Sequence, residues 1–144
     1  AARFLSRASV RTAIAGYIVM VGAVYYLLLL GLSHRHGLSL AVEHVLHSVT
    51  PVLFVIDWAL LVPKAGIGWR VGLVALIFPL AYAAWILVYG AASGWYPYPF
   101  IDVSELGYAR VGANIVALVI AFLLVELILV AIARKIQGRG ASVM

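Results

Sequence analysis

Four long apolar runs, each closed by a short polar or basic stretch, organise this chain. The first, Thr12 to Leu32, reads TAIAGYIVMVGAVYYLLLLGL and carries no charge. The second runs from about Leu38 to Val62, the third from about Val71 to Ala92 with Pro79 inside it, and the fourth from about Tyr108 to Ala133. A helix needs about 20 residues to cross a hydrocarbon core of ~30 Å, and each run is long enough. None shows the strict alternation of barrel strands, and lipid offers backbone amides no partner, so helices are the expected form. The connections SHRHG, PKAGIGWR and SGWYPYPFIDVSELG leave no room for a soluble domain. Residues 1–144 are therefore expected to make one all-α membrane domain, a polytopic bundle of four spanning helices.

Composition agrees with the pattern. The chain is 66% hydrophobic and 10% charged, with a mean hydropathy of +1.13. Five acids and ten bases are too few to cover the surface of a water-soluble domain of this size. The net charge of +5 does not point to nucleic acid, because the bases gather at the ends of apolar runs rather than along one helix face. Without cysteine, thiol chemistry and Cys-based metal sites are excluded. Arg3, Arg7 and Arg11 precede an apolar run longer than a signal-peptide core, so that run reads as an anchor.

The bases also give an expected orientation. Arg3, Arg7, Arg11, Lys64, Arg70, Arg134, Lys135 and Arg139 fall on one side of the four runs, against Arg35 and Arg110 on the other. Cytoplasmic ends collect Lys and Arg, so both termini are expected in the cytoplasm, with a bacterial inner membrane as the expected location. Asp102 and Glu105 then lie in the outward loop. Trp69, Trp95, Tyr96, Tyr98 and Tyr108 fall near helix ends, where an interfacial aromatic belt accounts for them; contact with a bound molecule is the second reading for the loop tyrosines and Trp95.

The second run departs from this plain picture. EHVLHSVTPVLFVIDW, residues 43–58, keeps Glu43, His44, His47 and Asp57. A charge at the bilayer centre costs about 2.5 to 3.5 kcal/mol on insertion scales, so these groups must face protein or water. Glu43, His44, His47 and Thr50 recur at spacings of three and four, which places them on neighbouring turns. At 1.5 Å per residue, His47 lies roughly 13 Å inward from Leu38. Pro51, four residues on, removes the amide that would bond the His47 carbonyl and is expected to bend the helix.

Two readings of the patch follow. Glu43 orienting His47 would make a general base or proton relay, with His44 beside it; a structural hydrogen-bond pair between helices is the alternative. Zinc would need three converging ligands, which neighbours on one helix do not offer, and haem needs axial ligands from opposite sides, so no metal or cofactor is expected. His34 and His36 lie in an outer loop. Asp57 is expected near Lys64 or Arg70 as a separate pair. Glu126, alone within AFLLVELILV, is expected to turn inward, to turn toward another subunit or to be protonated. Asn114 is a helix–helix hydrogen-bonding candidate, and the Ser48 and Thr50 hydroxyls are expected to bond back to their own helix.

With EHVLHSVTPVLFVIDW followed by PLAYAAWILVYGAASGWYPYPFIDV, the chain resembles the androgen-induced-gene (FAR/AIG-type) family of multi-span membrane proteins over about Arg11 to Arg134. A His-x-x-His-x-x-x-Pro helix, a tyrosine-bearing helix and a WYPYPF loop carry the likeness; Tyr82, in that helix, is a candidate lipid, substrate or partner contact. The resemblance implies intramembrane hydrolysis of fatty acid esters of hydroxy fatty acids, with His47 at the position of the family histidine and His44 at the motif's other histidine. The family's threonine nucleophile belongs to a helix upstream of the segment matching Arg11 to Leu32. Ser6 in RFLS does not stand in its place, since it lies at the opposite end of the bundle from His47. The likeness thus implies either that further helices precede this segment or that this form has given up the family chemistry. The competing expectation is a non-catalytic accessory subunit of a larger membrane complex, in which Glu43, His44, His47 and Glu126 meet partner residues or a bound lipid. Membrane lipids are the expected partners in either case, and nucleic acid is not.

Overall fold

In the computed structural model the described residues are 2–32 and 36–141, with side chains described for 4–32 and 36–138. His34 and Arg35 lie outside the described residues, as do the side chains of Arg3 and Arg139. The chain is all-helical, 86% helix, with no strand among the described residues. Four helices are long and apolar enough to cross a membrane: α1, Ala8–Leu32; α2, Leu38–Leu61; α3, Arg70–Ser93; and α4, Val103–Gly138.

The boundaries follow local chemistry. Gly94 closes α3 with a left-handed φ of 72°, and its amide reaches back to the Gly90 carbonyl at 2.8 Å, as expected for a glycine cap. Asp102 opens α4 by accepting hydrogen bonds from the amides of Ser104 (2.9 Å) and Glu105 (3.4 Å). Gly107 breaks the helical path there with φ 71° and ψ 159°. The straight part of α4 therefore begins at Tyr108, where the apolar pattern starts.

Neighbouring helices run antiparallel. Arg11 of α1 pairs with Asp57 of α2 at one end, while Tyr25 reaches Glu43 at the other. Arg134 of α4 lies over the Trp69 ring, 5.5 Å from its centroid, which brings the end of α4 to the same basic end as Arg11 and Lys64. Exposure is inverted relative to a soluble protein: Leu27 is 81% exposed, Leu60 76% and Trp85 65%. Helices this apolar bury their outer faces in lipid.

Two small cores hold the bundle. At the basic end, Ala15, Trp58, Ile67, Val130 and Ala133 pack together. The Trp58 indole donates to the Thr12 hydroxyl at 2.9 Å, which in turn donates to the Ala8 carbonyl at 2.8 Å. At the opposite end, Ile86, Ile101 and Val111 form the second core. There Asn114 donates to the Phe100 carbonyl at 2.7 Å, so this asparagine fastens the WYPYPF loop to α4 rather than joining two helices.

Candidate functional site

The polar residues of α2 sit on an irregular piece of backbone. Val45–Val49 forms a π turn, in which the Thr50 amide reaches the Val45 carbonyl. Pro51 follows at once and has no amide to give the His47 carbonyl. That carbonyl faces α1 at Gly22, where an added Cβ would stand 3.0 Å from it and 3.4 Å from the Pro51 Cγ. Gly22 thus lets the two backbones approach. Facing this segment, α1 has a π turn of its own at Tyr25–Leu29. Such turns reorient side chains and recur at functional sites.

His47 is held from two directions. Its Nδ1 lies 2.9 Å from the backbone carbonyl of Glu43; a carbonyl only accepts, so Nδ1 is the donor, and in the neutral tautomer with this bond Nε2 is the acceptor. The ring also stacks on Tyr25, with centroids 4.1 Å apart and planes 11° off parallel. The Glu43 carboxylate accepts from the Tyr25 hydroxyl at 3.1 Å. Glu43 therefore orients the imidazole through its main chain and, through Tyr25, from the side.

His44 belongs to a different group. The exposed Tyr26 hydroxyl lies 3.4 Å from His44 Nδ1 and bonds Ser48. The two histidines of the motif thus serve separate clusters. Thr50 donates to the Val45 carbonyl at 3.0 Å, the back-bonding expected of it, whereas Ser48 is engaged by Tyr26. No group of three metal-ligating side chains occurs among the described residues.

His47 lines an apolar cleft of about 400 Å³, a chamber open on one side and bordered by α1, α3, α4 and the WYPYPF loop. Along α1 the lining extends from Tyr17 to Leu29 and along α3 from Phe78 to Leu87. At the helical rise this makes the chamber about 14 to 18 Å tall. Its lower end is aromatic: the Tyr17 ring packs against Phe78 (5.3 Å) and Phe122 (6.3 Å). At the upper end stand Tyr98 and Phe100, stacked at 5.3 Å, and Tyr82 lines the same cleft as Tyr98. Phe78 is 61% and Tyr82 44% exposed, so the α3 wall opens to the outside of the bundle. The second cavity along His47 lies on the other side, between α1 and α2, lined by Gly22, Tyr26, Ser48 and Pro51.

The remaining sequence candidates are scattered. Trp95 is 60% exposed and packs edge-on against Tyr89 at 6.3 Å. Tyr96 covers Gly90, where any side chain would overlap its ring. Asp57 pairs with Arg11, and not with Lys64, whose ammonium turns back to the carbonyls of Trp58 (2.5 Å) and Val62 (2.6 Å) at the end of α2. Loss of solvent, followed by the neighbouring Arg11 guanidinium, pushes the Lys64 pKa below its ordinary value, with Asp57 acting in the opposite direction. Glu126 is fully buried between Gly16 and Gly72, and neither carboxyl oxygen has a hydrogen-bond partner. It lies inside this chain, away from any surface open to another subunit.

Sequence reasoning passed over Tyr25 and Tyr26, and the adjacent pair of tyrosines inside AVYYLLLL was the available signal. It also missed Arg11 as the partner of Asp57. No family model matches the chain, and neither a curated protein nor a solved structure does.

Proposed function

We propose that this integral membrane protein draws one acyl chain of a lipid ester into the chamber and offers the ester to His47 as general base, the chemistry implied by the family its motifs resemble. The observation that carries the reading is the Nδ1 bond to the Glu43 carbonyl, which leaves Nε2 as the acceptor of a ring on the wall of an apolar cavity. In the proposed step Nε2 takes the proton of an attacking hydroxyl as its oxygen adds to the ester carbonyl carbon. The same proton then goes to the departing alkoxide. The attacking hydroxyl is that of water, which leaves the acid and the alcohol as products, or of a residue outside this chain, whose acyl ester water then cleaves with the same base. The basic end, with Arg11, Lys64, Arg70 and Arg134, faces the cytoplasm under the positive-inside rule, and a bacterial inner membrane is the proposed location.

The test is release of fatty acid from lipid esters by the purified protein in lipid nanodiscs. His47→Ala is expected to slow release by about 10² to 10⁴, the usual contribution of a positioned base. Equal rates for wild type and variant would remove His47 from the chemistry. The outward-facing cluster of Tyr26, His44 and Ser48 favours a second reading, an accessory subunit docked through α1 and α2. Stoichiometric co-purification with another membrane protein, lost on Tyr26→Phe, would support that reading.

A further inference from the structure

We infer that the chamber is a length gauge for a single straight acyl chain, with Tyr17, Phe78 and Phe122 as its floor; this rests on the lipid-ester reading above. A volume of about 400 Å³ spread over the height of the chamber leaves a cross-section of roughly 20 to 30 Å², using the helical rise for the height. That mean width matches one polymethylene chain. A methylene fills nearly the volume of a water molecule in the liquid, about 30 Å³. The chamber therefore holds a chain of about a dozen carbons at that packing.

The polar groups fix which way the chain lies. The Tyr17 hydroxyl is already engaged by the Ala75 carbonyl at 2.6 Å, so the lower end presents ring faces and edges. His47, Tyr82 and Tyr98 lie above this floor. The ester end belongs beside them and the methyl end against the rings. Phe122 is the most direct adjustment to the floor, because it meets Tyr17 from α4 and takes no part in the hydrogen bonds around His47.

The experiment measures binding of saturated fatty acid methyl esters from eight to eighteen carbons to the full chain in nanodiscs of one phospholipid, by displacement of a fluorescent ester. Wild type is expected to bind best near twelve carbons. Phe122→Ala is expected to move the optimum to longer chains, with at least a tenfold change in the ratio of sixteen-carbon to twelve-carbon affinity. Phe122→Trp is expected to move it to shorter ones. Opposite shifts in the two variants cannot come from a common loss of folding. Affinity that is independent of length, or an optimum unmoved in both variants, overturns the gauge while leaving His47 catalysis intact. Length-dependent binding without hydrolysis supports the gauge and removes the catalytic reading. Failure to bind any ester overturns both.

Discussion

The Tyr17 hydroxyl donates to the Ala75 carbonyl at 2.6 Å, and Ala75 stands four residues before Pro79. Proline has no amide, so this is the carbonyl that α3 leaves without its helical partner. A side chain from α1 supplies the missing donor, at the point where α3 changes course around Leu76. Tyr17→Phe keeps the ring and orphans the carbonyl. It is expected to cost about 0.6 to 1.7 kcal/mol, the range that double-mutant cycles give for interhelical hydrogen bonds in a membrane protein. In a Pro79→Ala background the helix regains its own amide, and the same substitution is expected to cost less. A double-mutant cycle on thermal unfolding measures the difference; equal costs in both backgrounds would refute the link between the proline and the tyrosine.

Glu126 and Gly16 make a second interlocked pair. A methyl group at Gly16 would overlap the Glu126 carboxyl, and on the other side Gly72 leaves only van der Waals space to the Glu126 Cβ at 3.6 Å. Gly16→Ala must therefore displace the end of the fully buried Glu126 side chain, at an expected cost of about 1 to 3 kcal/mol for overpacking. With Glu126→Ala the space is vacated, and Gly16→Ala is expected to be nearly neutral. Glu126→Met, by contrast, removes a buried carboxyl without hydrogen bonds and is expected to raise the unfolding temperature. A lowered unfolding temperature for Glu126→Met would mean that the carboxyl contributes stability by a contact other than those described.

The manner in which Glu43 serves His47 can be separated by substitution. Glu43→Gln keeps the backbone carbonyl that holds Nδ1 and keeps a side-chain acceptor for the Tyr25 hydroxyl. Ester hydrolysis by this variant is expected to fall by less than about tenfold, against about 10² or more for His47→Ala. Tyr25→Leu removes both the ring stacked on the imidazole and the hydroxyl that holds the carboxylate. It is expected to lie between the two, since a stacked aromatic pair is worth about 0.5 to 1.5 kcal/mol beyond its burial. Initial rates on one ester rank the three; a Glu43→Gln rate as low as that of His47→Ala would assign the carboxylate a direct part.

Helix positions were legible because membrane crossing imposes a long uninterrupted apolar run, and α2 begins at Leu38 in both the pattern and the structure. The same one-dimensional signal says little about partners across helices, which is why the sequence leaves Asp57 with Lys64 or Arg70 and the structure gives it Arg11. Spacing alone also gathers Glu43, His44 and His47 into one patch. An intervening π turn rotates the following residues relative to an ideal helix, and His44 and His47 end in separate clusters. Pro51 gave warning of the irregularity; nothing in α1 announced the matching turn at Tyr25. The chamber was illegible for a related reason: apart from His47, its walls are ordinary membrane residues from three helices and a loop, and only their assembly makes a cavity.

Lys64 tests whether the basic end is held by charge alone. Its ammonium closes α2 by donating to the Trp58 and Val62 carbonyls and lies 4.5 Å from the centre of the Trp58 ring. Lys64→Met retains an apolar stem over the indole and loses the donors, at an expected cost near neutral pH of about 1 to 3 kcal/mol. The pH dependence has a definite sign. Because the folded-state pKa is lowered, the unfolded chain holds this proton more tightly, and stability rises with pH wherever the unfolded state binds more protons. Wild type is therefore expected to gain stability relative to Lys64→Met as pH climbs from the lowered folded value toward the ordinary 10.5. Thermal unfolding of both proteins at a series of alkaline pH values measures that gap; a gap that narrows with rising pH would show that the carbonyls favour the charged ammonium more than burial disfavours it.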